Sequence, residues 1–481
     1  MRKILLVLFA FGFVLALSAP ASAVELKVSG SYYATGMYIA DPSFKESGDR
    51  TRDVNGSSAS FVGQRLRIQP EFKIAEGLTL TTRFDALEKK WGDSSWGKVH
   101  TWDNTNRPVD AAAPGVGSGY TLTGSQIRTQ ENLEWERAYV DFNTAIGRFM
   151  VGYFDCICYG TLFLNTHVSR AGVQYMYPMG PWTFGAKWEK VHEGGSYGTG
   201  GSAPSLRFSN KDMDVYSIDV TYRWKTGVAG AQFQYYADDF GEYSGGYAAQ
   251  FPPNTAALVA PNFTRNVYAI NPFFQAAIGN LALEGEFWYG FGDWIDFKGS
   301  GDDVDLEAYA AYLNGKFSIP GTNFYVGALG SIESGDADAT DDDQKGSVLS
   351  SYFSMGQAWD PFLYMMNDLV NTYTGNWNPY GASLGTWEDN AILWKLYAGW
   401  NITPKLNLEV AYGSAWADDT PAGVDDEYGS EFDIFATYKI YNNLSYMVGF
   451  GYWWVGDYFK AGTSADLEDS YLVMHKLTLA F

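Results

Sequence analysis

Apolar and polar residues alternate along much of the chain with the period of two that β-strands require. The first clear pair runs from Gln64 to Ile74 and from Leu78 to Asp85, joined by the short turn Ala75-Glu76-Gly77. One face of the pair is apolar, with Leu66, Ile68, Phe72, Leu78, Leu80 and Phe84, and the other carries Arg65, Arg67, Gln69, Glu71, Lys73, Thr79, Thr81, Arg83 and Asp85. A soluble sandwich also alternates, but it rarely lines its second face so densely with arginine, so the pattern favours a different kind of sheet.

The same unit of two strands and a tight turn recurs along the chain, and the turns contain the Gly, Pro and Asn that sharp reversals need. The further pairs are 136–141 with 147–154, 168–177 with 182–191, 215–224 with 228–237, 267–278 with 281–289, 306–317 with 324–332, 391–402 with 406–412 and 432–440 with 444–454. A first strand from Val24 to Tyr38 and a last from Tyr471 to Phe481 bring the total to 18. This even number predicts an all-β fold, a transmembrane antiparallel up-and-down β-barrel, with about 16 strands as the alternative.

The tight turns alternate with long connections that are rich in Gly, Ser, Asp, Asn and Pro, as solvated loops are. Short periplasmic turns and long extracellular loops are typical of outer-membrane barrels. The longest connection, from Glu333 to Asn390, contains a segment from Asp360 to Val370 that predicts a short helix, with Asp360 as its N-cap and Pro361 at its first position. Such a loop could fold into the lumen or lie over its mouth.

The last strand is amphipathic and ends on an aromatic residue, Phe481. A terminal phenylalanine on such a strand is typical of outer-membrane barrels, in which the last strand pairs with the first. His475 falls on the otherwise apolar face of this strand, and a subunit contact would explain a polar side chain there.

The beginning of the chain predicts export. Arg2 and Lys3 precede an apolar run from Ile4 to Leu17, and Ala21-Ser22-Ala23 follows as a cleavage site. We therefore expect a signal peptide at 1–23 and a single barrel domain at 24–481. The expected location is the outer membrane of a Gram-negative bacterium, with lipid and lipopolysaccharide as partners.

Composition agrees with a barrel. Aromatic residues make up 17% of the chain, yet the mean hydropathy is −0.20. Barrels need rings for two interfacial girdles, and the alternating polar residues keep the mean hydropathy low. The net charge of −22 excludes nucleic acid as a natural partner.

The candidate site is a set of basic residues predicted to face the lumen on the early strands, with two acidic residues on a later strand. The predicted pore-lining residues are Arg65, Arg67, Arg83, Arg137, Arg148, Arg170, Lys187, Glu284 and Glu286. Charge clusters on the wall of a pore sort solutes by charge. The alternative is that these residues are polar only because a wide lumen is wet.

No catalytic or metal-binding pattern emerges from the remaining residues. Cys156 and Cys158 are separated by one residue, which makes a disulfide strained, and His167 is the only nearby extra ligand. The acidic run from Asp336 to Asp343 lacks the Gly and Glu of a helical-hand calcium loop. We expect no cofactor, no metal and no enzymatic activity.

Three segments carry a resemblance to a known family: Arg65-Leu66-Arg67-Ile68 with Arg83-Phe84-Asp85, Trp135 to Phe142 followed by Gly147 to Gly152, and the terminal Phe481. They resemble the general porins of Gram-negative bacteria, and most closely the homotrimeric porins of sulfate-reducing bacteria and their relatives. The likeness is best over residues 24–190. It implies a homotrimer, a loop folded into the pore, and passive diffusion of small hydrophilic solutes and ions.

Two alternatives stay open, a substrate-specific 18-strand channel and a barrel that sheathes an electron-transfer partner. The loop from Asp155 to His167 is shorter than the constriction loop of general porins, so either it or the connection from Glu333 to Asn390 narrows the channel.

Overall fold

The computed structural model describes residues 24–41, 44, 58–91, 101–102, 108–109, 133–156, 158–164, 168–192, 212–239, 263–297, 303–337, 342–346, 348, 352–353, 359–370, 390–464 and 466–481. Eighteen long strands dominate this part of the chain. They are β1 (Glu25–Ala40), β2 (Ser58–Ala75), β3 (Leu78–Lys90), β4 (Leu133–Thr144), β5 (Gly147–Asp155), β6 (Ser169–Met179), β7 (Trp182–His192), β8 (Met213–Trp224), β9 (Gly227–Asp238), β10 (Phe263–Ile278), β11 (Leu281–Phe297), β12 (Val304–Ser318), β13 (Phe324–Glu333), β14 (Ala391–Thr403), β15 (Leu406–Trp416), β16 (Glu427–Tyr441), β17 (Leu444–Val455) and β18 (Ser470–Ala480).

Each long strand pairs antiparallel with its neighbours in the chain, and β18 pairs with β1 to close the ring. The closing register runs from Ser31 opposite Ala480 to Ala40 opposite Tyr471. Closure leaves the sheet without a free edge, which is how a large antiparallel sheet avoids exposing unpaired backbone groups. The prediction of an antiparallel barrel of 18 strands is confirmed, and the 16-strand alternative is wrong.

Phe481 completes the closure. Its N–H donates to the Gly30 carbonyl at 3.0 Å, and the Gly30 N–H donates to the Phe481 carbonyl at 2.8 Å. The ring of Phe481 lies over Gly30, where an added Cβ would approach the ring to 2.7 Å. The pairing of the last strand with the first, predicted from the terminal aromatic residue, is therefore observed together with the small residue that permits it.

The outer face of the barrel is apolar. Residues such as Leu313, Ile218 and Leu396 are more than half exposed, while the residues beside them in each strand point to the interior. Aromatic pairs form belts near both ends of the barrel, with Trp182 and Tyr222 4.6 Å apart at the short-turn end and Phe84 and Trp135 5.1 Å apart at the other. An apolar outer face with aromatic belts is typical of membrane-spanning β-barrels, and the fold is of that class.

The eight short turns lie at the same end as the start of β1 and the end of β18, and the long connections lie at the opposite end, because the strands run up and down. Gly77 and Gly279 occupy two of the turns with φ of 71° and 62°, a conformation that favours glycine. The described parts of the long connections contain shorter elements, among them a hairpin of Thr101–Trp102 with Pro108–Val109, a two-residue strand Asp343–Gln344 beside β12, and a 3-10 turn Asp457–Lys460. In the described ranges, no helix is long and apolar enough to cross a bilayer.

Candidate functional site in the barrel interior

The connection between β5 and β6 folds into the barrel and reaches the opposite wall. The Tyr159 hydroxyl donates to the Val220 carbonyl of β8 at 2.8 Å. The Thr161 N–H and hydroxyl both donate to the Glu286 carboxylate of β11, at 2.8 Å and 2.6 Å. Thr161 and Phe163 are almost completely buried. Residues 156 and 158–164, which we call the crossing loop, therefore reach across the lumen.

The side chain of Glu286 holds the crossing loop through Thr161. Besides Thr161, its carboxylate accepts a bond from the Asn271 amide at 2.9 Å. Gly160 has φ of +99°, and an added Cβ would lie 1.9 Å from Glu286 Oε1, so only glycine permits the close approach. Because its carboxyl group accepts two bonds from Thr161, Glu286 anchors the crossing loop to the wall.

A second segment enters from the connection between β13 and β14. Residues 359–370, which we call the clamped loop, lie against the inner wall on the other side of the barrel. Glu431 accepts from the Tyr364 N–H at 2.8 Å and from the Met365 N–H at 2.6 Å, and Asp433 accepts from the Leu363 N–H at 3.2 Å. Lys395 donates to the Pro361 carbonyl at 2.6 Å. Three side chains of the wall thus bind four backbone groups of one loop.

The predicted short helix from Asp360 to Val370 is wrong. Residues 361–366 form bends and turns, and only 368–370 are helical. The physical reason lies in the wall. In a helix that begins at Asp360, the Tyr364 and Met365 N–H groups would donate to the carbonyls four residues earlier, but here they donate to Glu431. Asp360 accepts from the Asp368 N–H at 2.7 Å, eight residues along, so it closes a loop and does not cap a helix.

The two loops meet inside the barrel through aromatic rings. Phe163 of the crossing loop lies 5.0 Å from Trp359 of the clamped loop, edge to face, and 5.0 Å from Tyr312 of β12, stacked. Nearby, Phe353 packs against Tyr236 and Trp288 of the wall, at 4.8 Å and 4.9 Å. Both of the connections considered as constrictions from the sequence therefore enter the lumen, and they narrow it jointly.

The predicted basic residues share the inner face of β2 to β7, but each lies beside a carboxylate. Arg67 binds Asp85 through two bonds of 2.8 Å and Glu136 at 3.1 Å. The other pairs are Arg83 with Glu136 at 2.5 Å, Arg137 with Asp155 at 2.5 Å, Arg170 with Glu189 at 3.2 Å, Lys187 with Glu189 at 2.5 Å, Arg65 with Asp85 and Glu88 at 3.8 Å and 3.7 Å, and Arg148 with Asp141.

This pairing changes what the basic set can do. Seven bases face six carboxylates, so the cluster is close to neutral as a whole. Exposure divides it further, because 28% of the Arg65 side chain is exposed but only 5% of the Lys187 side chain. Arg65 and Arg67 are half-buried beside the lumen, while Arg170 and Lys187 lie buried near the start of the crossing loop.

The two acidic residues of the predicted set differ from each other. Glu286 is buried and anchors the crossing loop, as described above. Glu284, two residues earlier on the same face, is half-buried and accepts bonds from Tyr312, Asn314 and Gln275.

Sequence reasoning missed Glu431, which contributes two of the bonds to the clamped loop. The alternation of β16 places Glu431 on the same face as Asp433, so its inward direction could have been predicted. The partners of Glu431 could not have been predicted, because they are backbone N–H groups that lie 66 and 67 residues away in the sequence.

The two cysteines do not form a disulfide. Cys156 is buried, and burial raises the pKa of its thiol to about 12, so it stays protonated and unreactive at neutral pH. Of the histidines, His100 and His167 lie outside the described residues. The described part of the chain contains no group of three or more His, Cys, Asp or Glu side chains that could hold a metal ion.

His475 lies on the outer face, as its register predicted. It packs over Gly36 of β1, where an added Cβ would lie 2.1 Å from its Nε2, and its ring is 5.8 Å from that of Tyr446. The residue is exposed midway along β18, on the apolar outer face of the barrel.

No family model matches the chain, and no curated protein sequence matches it. Solved structures with a similar fold include OpdK of Pseudomonas aeruginosa with vanillate, with 10% identity over 95% of this chain and 98% of that one and a TM-score of 0.47. A BenF-like porin of Pseudomonas fluorescens has 12% identity over 95% and 99% and a TM-score of 0.48, and OccAB4 of Acinetobacter baumannii has 11% identity over 96% and 100% and a TM-score of 0.44. These likenesses are too distant to carry an argument about function.

Proposed function

We propose that the chain is an outer-membrane porin, a water-filled channel for passive diffusion of small hydrophilic solutes and ions. One observation carries the proposal: a closed barrel of 18 strands with an apolar outer face and a charged, hydrogen-bonded inner face. A barrel of this width is not filled by its own wall side chains, so it encloses a passage unless loops fill it.

The contact between the crossing loop and the clamped loop favours the narrower of the two channel types, a substrate-specific one. Two loops that meet at Phe163 and Trp359 reduce the free cross-section and bring polar and aromatic groups close to a passing solute. General porins and substrate-specific channels differ in how narrow the lumen is. The size of the opening that the two loops leave therefore decides which type this channel is.

Conductance in planar lipid bilayers tests the function. The purified protein is expected to insert and give ohmic steps of ion current, smaller than those of an unobstructed barrel of the same width. Block by particular solutes would mark the selective form, and equal passage of all small solutes would mark the general form. Insertion without any current would contradict the channel.

The proposed function includes an oligomeric state and a membrane environment. The mature chain is inferred to start after a cleaved signal peptide at 1–23 and to form a homotrimer among lipid and lipopolysaccharide, with His475 at a subunit contact. The exposed imidazole in an apolar band supports that contact, because a polar group facing lipid is unfavourable. A trimer would show current steps in groups of three.

Ion selectivity tests the role of the basic residues. Replacing Arg65, Arg67 and Arg83 with glutamine leaves Asp85, Glu88 and Glu136 without their cations, so selectivity should shift toward cations. Reversal potentials in a salt gradient measure the shift. Lys73→Gln is the matched control, because Lys73 is a half-exposed lysine paired with Glu25 near the short-turn end. An unchanged reversal potential in the triple variant would remove these arginines from the selectivity mechanism.

A further inference from the structure

A separate cavity lies on the inner wall, on the short-turn side of the two loops. It has a volume of about 470 Å³ and is lined by β9 to β12 and the turn before β9. Small residues, Val228, Ala277 and Ala282, leave the space, and Glu284 and Lys316 border it. The cavity therefore presents one acidic and one basic side chain to the lumen.

Glu284 is held in place without a cation. Its Oε1 accepts from the Tyr312 hydroxyl at 2.7 Å and the Asn314 amide at 3.2 Å, and its Oε2 accepts from the Gln275 amide at 3.2 Å. In turn, the Tyr397 hydroxyl donates to Asn314 at 2.9 Å. Within the described ranges Glu284 has no ion-pair partner, so its negative charge is oriented by neutral donors and not cancelled.

Lys316 is oriented in a comparable way. Its ammonium lies 3.7 Å from the centre of the Tyr325 ring, and the Tyr325 hydroxyl donates to Glu409 at 2.6 Å. Among the described residues, no carboxylate lies within ion-pair distance of Lys316. The ring covers one side of the ammonium, so its remaining N–H donors are available to an anion.

The register sets the spacing of the two charges. Glu284 lies opposite Asn314 and Ala282 lies opposite Lys316, so Glu284 and Lys316 are diagonal neighbours on the inner face. The Cα atoms of diagonal residues are about 7–8 Å apart, so both side chains rise from the same part of the wall and border one cavity. The basic residues of β2 to β7 differ, because each of them already has a carboxylate partner.

We propose that this cavity binds a small zwitterion whose ammonium and carboxylate are on the same or neighbouring carbons, the class to which free amino acids belong. The ammonium binds Glu284 and the carboxylate binds Lys316. The proposal deepens the proposed function and rests on it, because the ligand reaches the cavity through the lumen.

Binding to the purified protein in detergent micelles tests the site. Saturation-transfer NMR with free alanine, propionate and ethylamine compares the zwitterion with each charge alone. Alanine is expected to bind, and Glu284→Gln and Lys316→Met are each expected to weaken its binding about tenfold. Ala282→Leu fills the cavity without removing a charge and is expected to abolish binding. Lys73→Gln is the control.

Three results would overturn the site: no binding of alanine, binding that neither charge variant changes, or propionate or ethylamine binding as well as alanine. Conductance measured on the same preparation keeps the two proposals apart. Current without alanine binding rejects the site and leaves the channel, whereas binding without current rejects the channel and leaves the site.

Discussion

Removing the Phe163 ring is expected to widen the channel. Phe163 is completely buried and joins the two loops, with Trp359 and Tyr312 each 5.0 Å away. Phe163→Ala removes both ring contacts and leaves a void where the loops meet, at a cost of about 3–5 kcal/mol to the local packing. Larger single-channel current and passage of larger sugars into liposomes are the expected results.

Leu162→Ala is the matched control. Leu162 is the preceding residue of the crossing loop, but 57% of it is exposed, so its loss removes little packing. A current increase of the same size in both variants would show that the loop contact is not the constriction. The double variant with Trp359→Ala adds a second check, because residues in direct contact give non-additive effects.

The barrel wall could be predicted from the sequence because lipid on one side and polar groups on the other impose a strict alternation. The strands predicted too short are those in which alternation fails near the long loops. β10 begins at Phe263 and not at Val267, and β11 continues to Phe297 and not to Tyr289. The pairing register shifts at Thr264 and at Asp293. The alternation of apolar and polar residues is therefore interrupted at these positions, although the strands stay paired beyond them.

The interior could be predicted only in part. Alternation gives the direction of Arg67 and Asp85, and their pairing follows from adjacent strands. The bond between Thr161 and Glu286 joins residues 125 positions apart, and no local pattern contains it. The same holds for the clamped loop, in which Asp360 and Pro361 favour a helix locally but the wall carboxylates outcompete it. Loops that fold into a barrel are determined by the wall they meet.

The second large effect is expected from substitutions of Glu431 and Asp433, the two carboxylates of β16 that bind the clamped loop. Glu431 accepts the Tyr364 and Met365 N–H groups with its two oxygens, and it is fully buried. Glu431→Gln keeps the size of the side chain but turns one acceptor into a donor, so one buried N–H loses its partner. An unsatisfied buried group costs about 1–3 kcal/mol, and adding Asp433→Asn weakens the bond to Leu363 as well.

Release of the clamped loop is the expected outcome in the Glu431→Gln and Asp433→Asn double variant. Chymotrypsin should then cut at Phe362 or Tyr364, which are buried in the native protein, and the current should become larger and noisier. Glu409→Gln is the matched control, because Glu409 is an inner-face carboxylate of β15 that accepts from Tyr325 of the wall and not from the loop. Since the loop does not contribute to closure of the strands, circular dichroism of the sheet should be the same in all three proteins. Equal resistance to chymotrypsin in the double variant and the control would mean that the ring contacts of the loop, and not the carboxylates, hold it in the lumen.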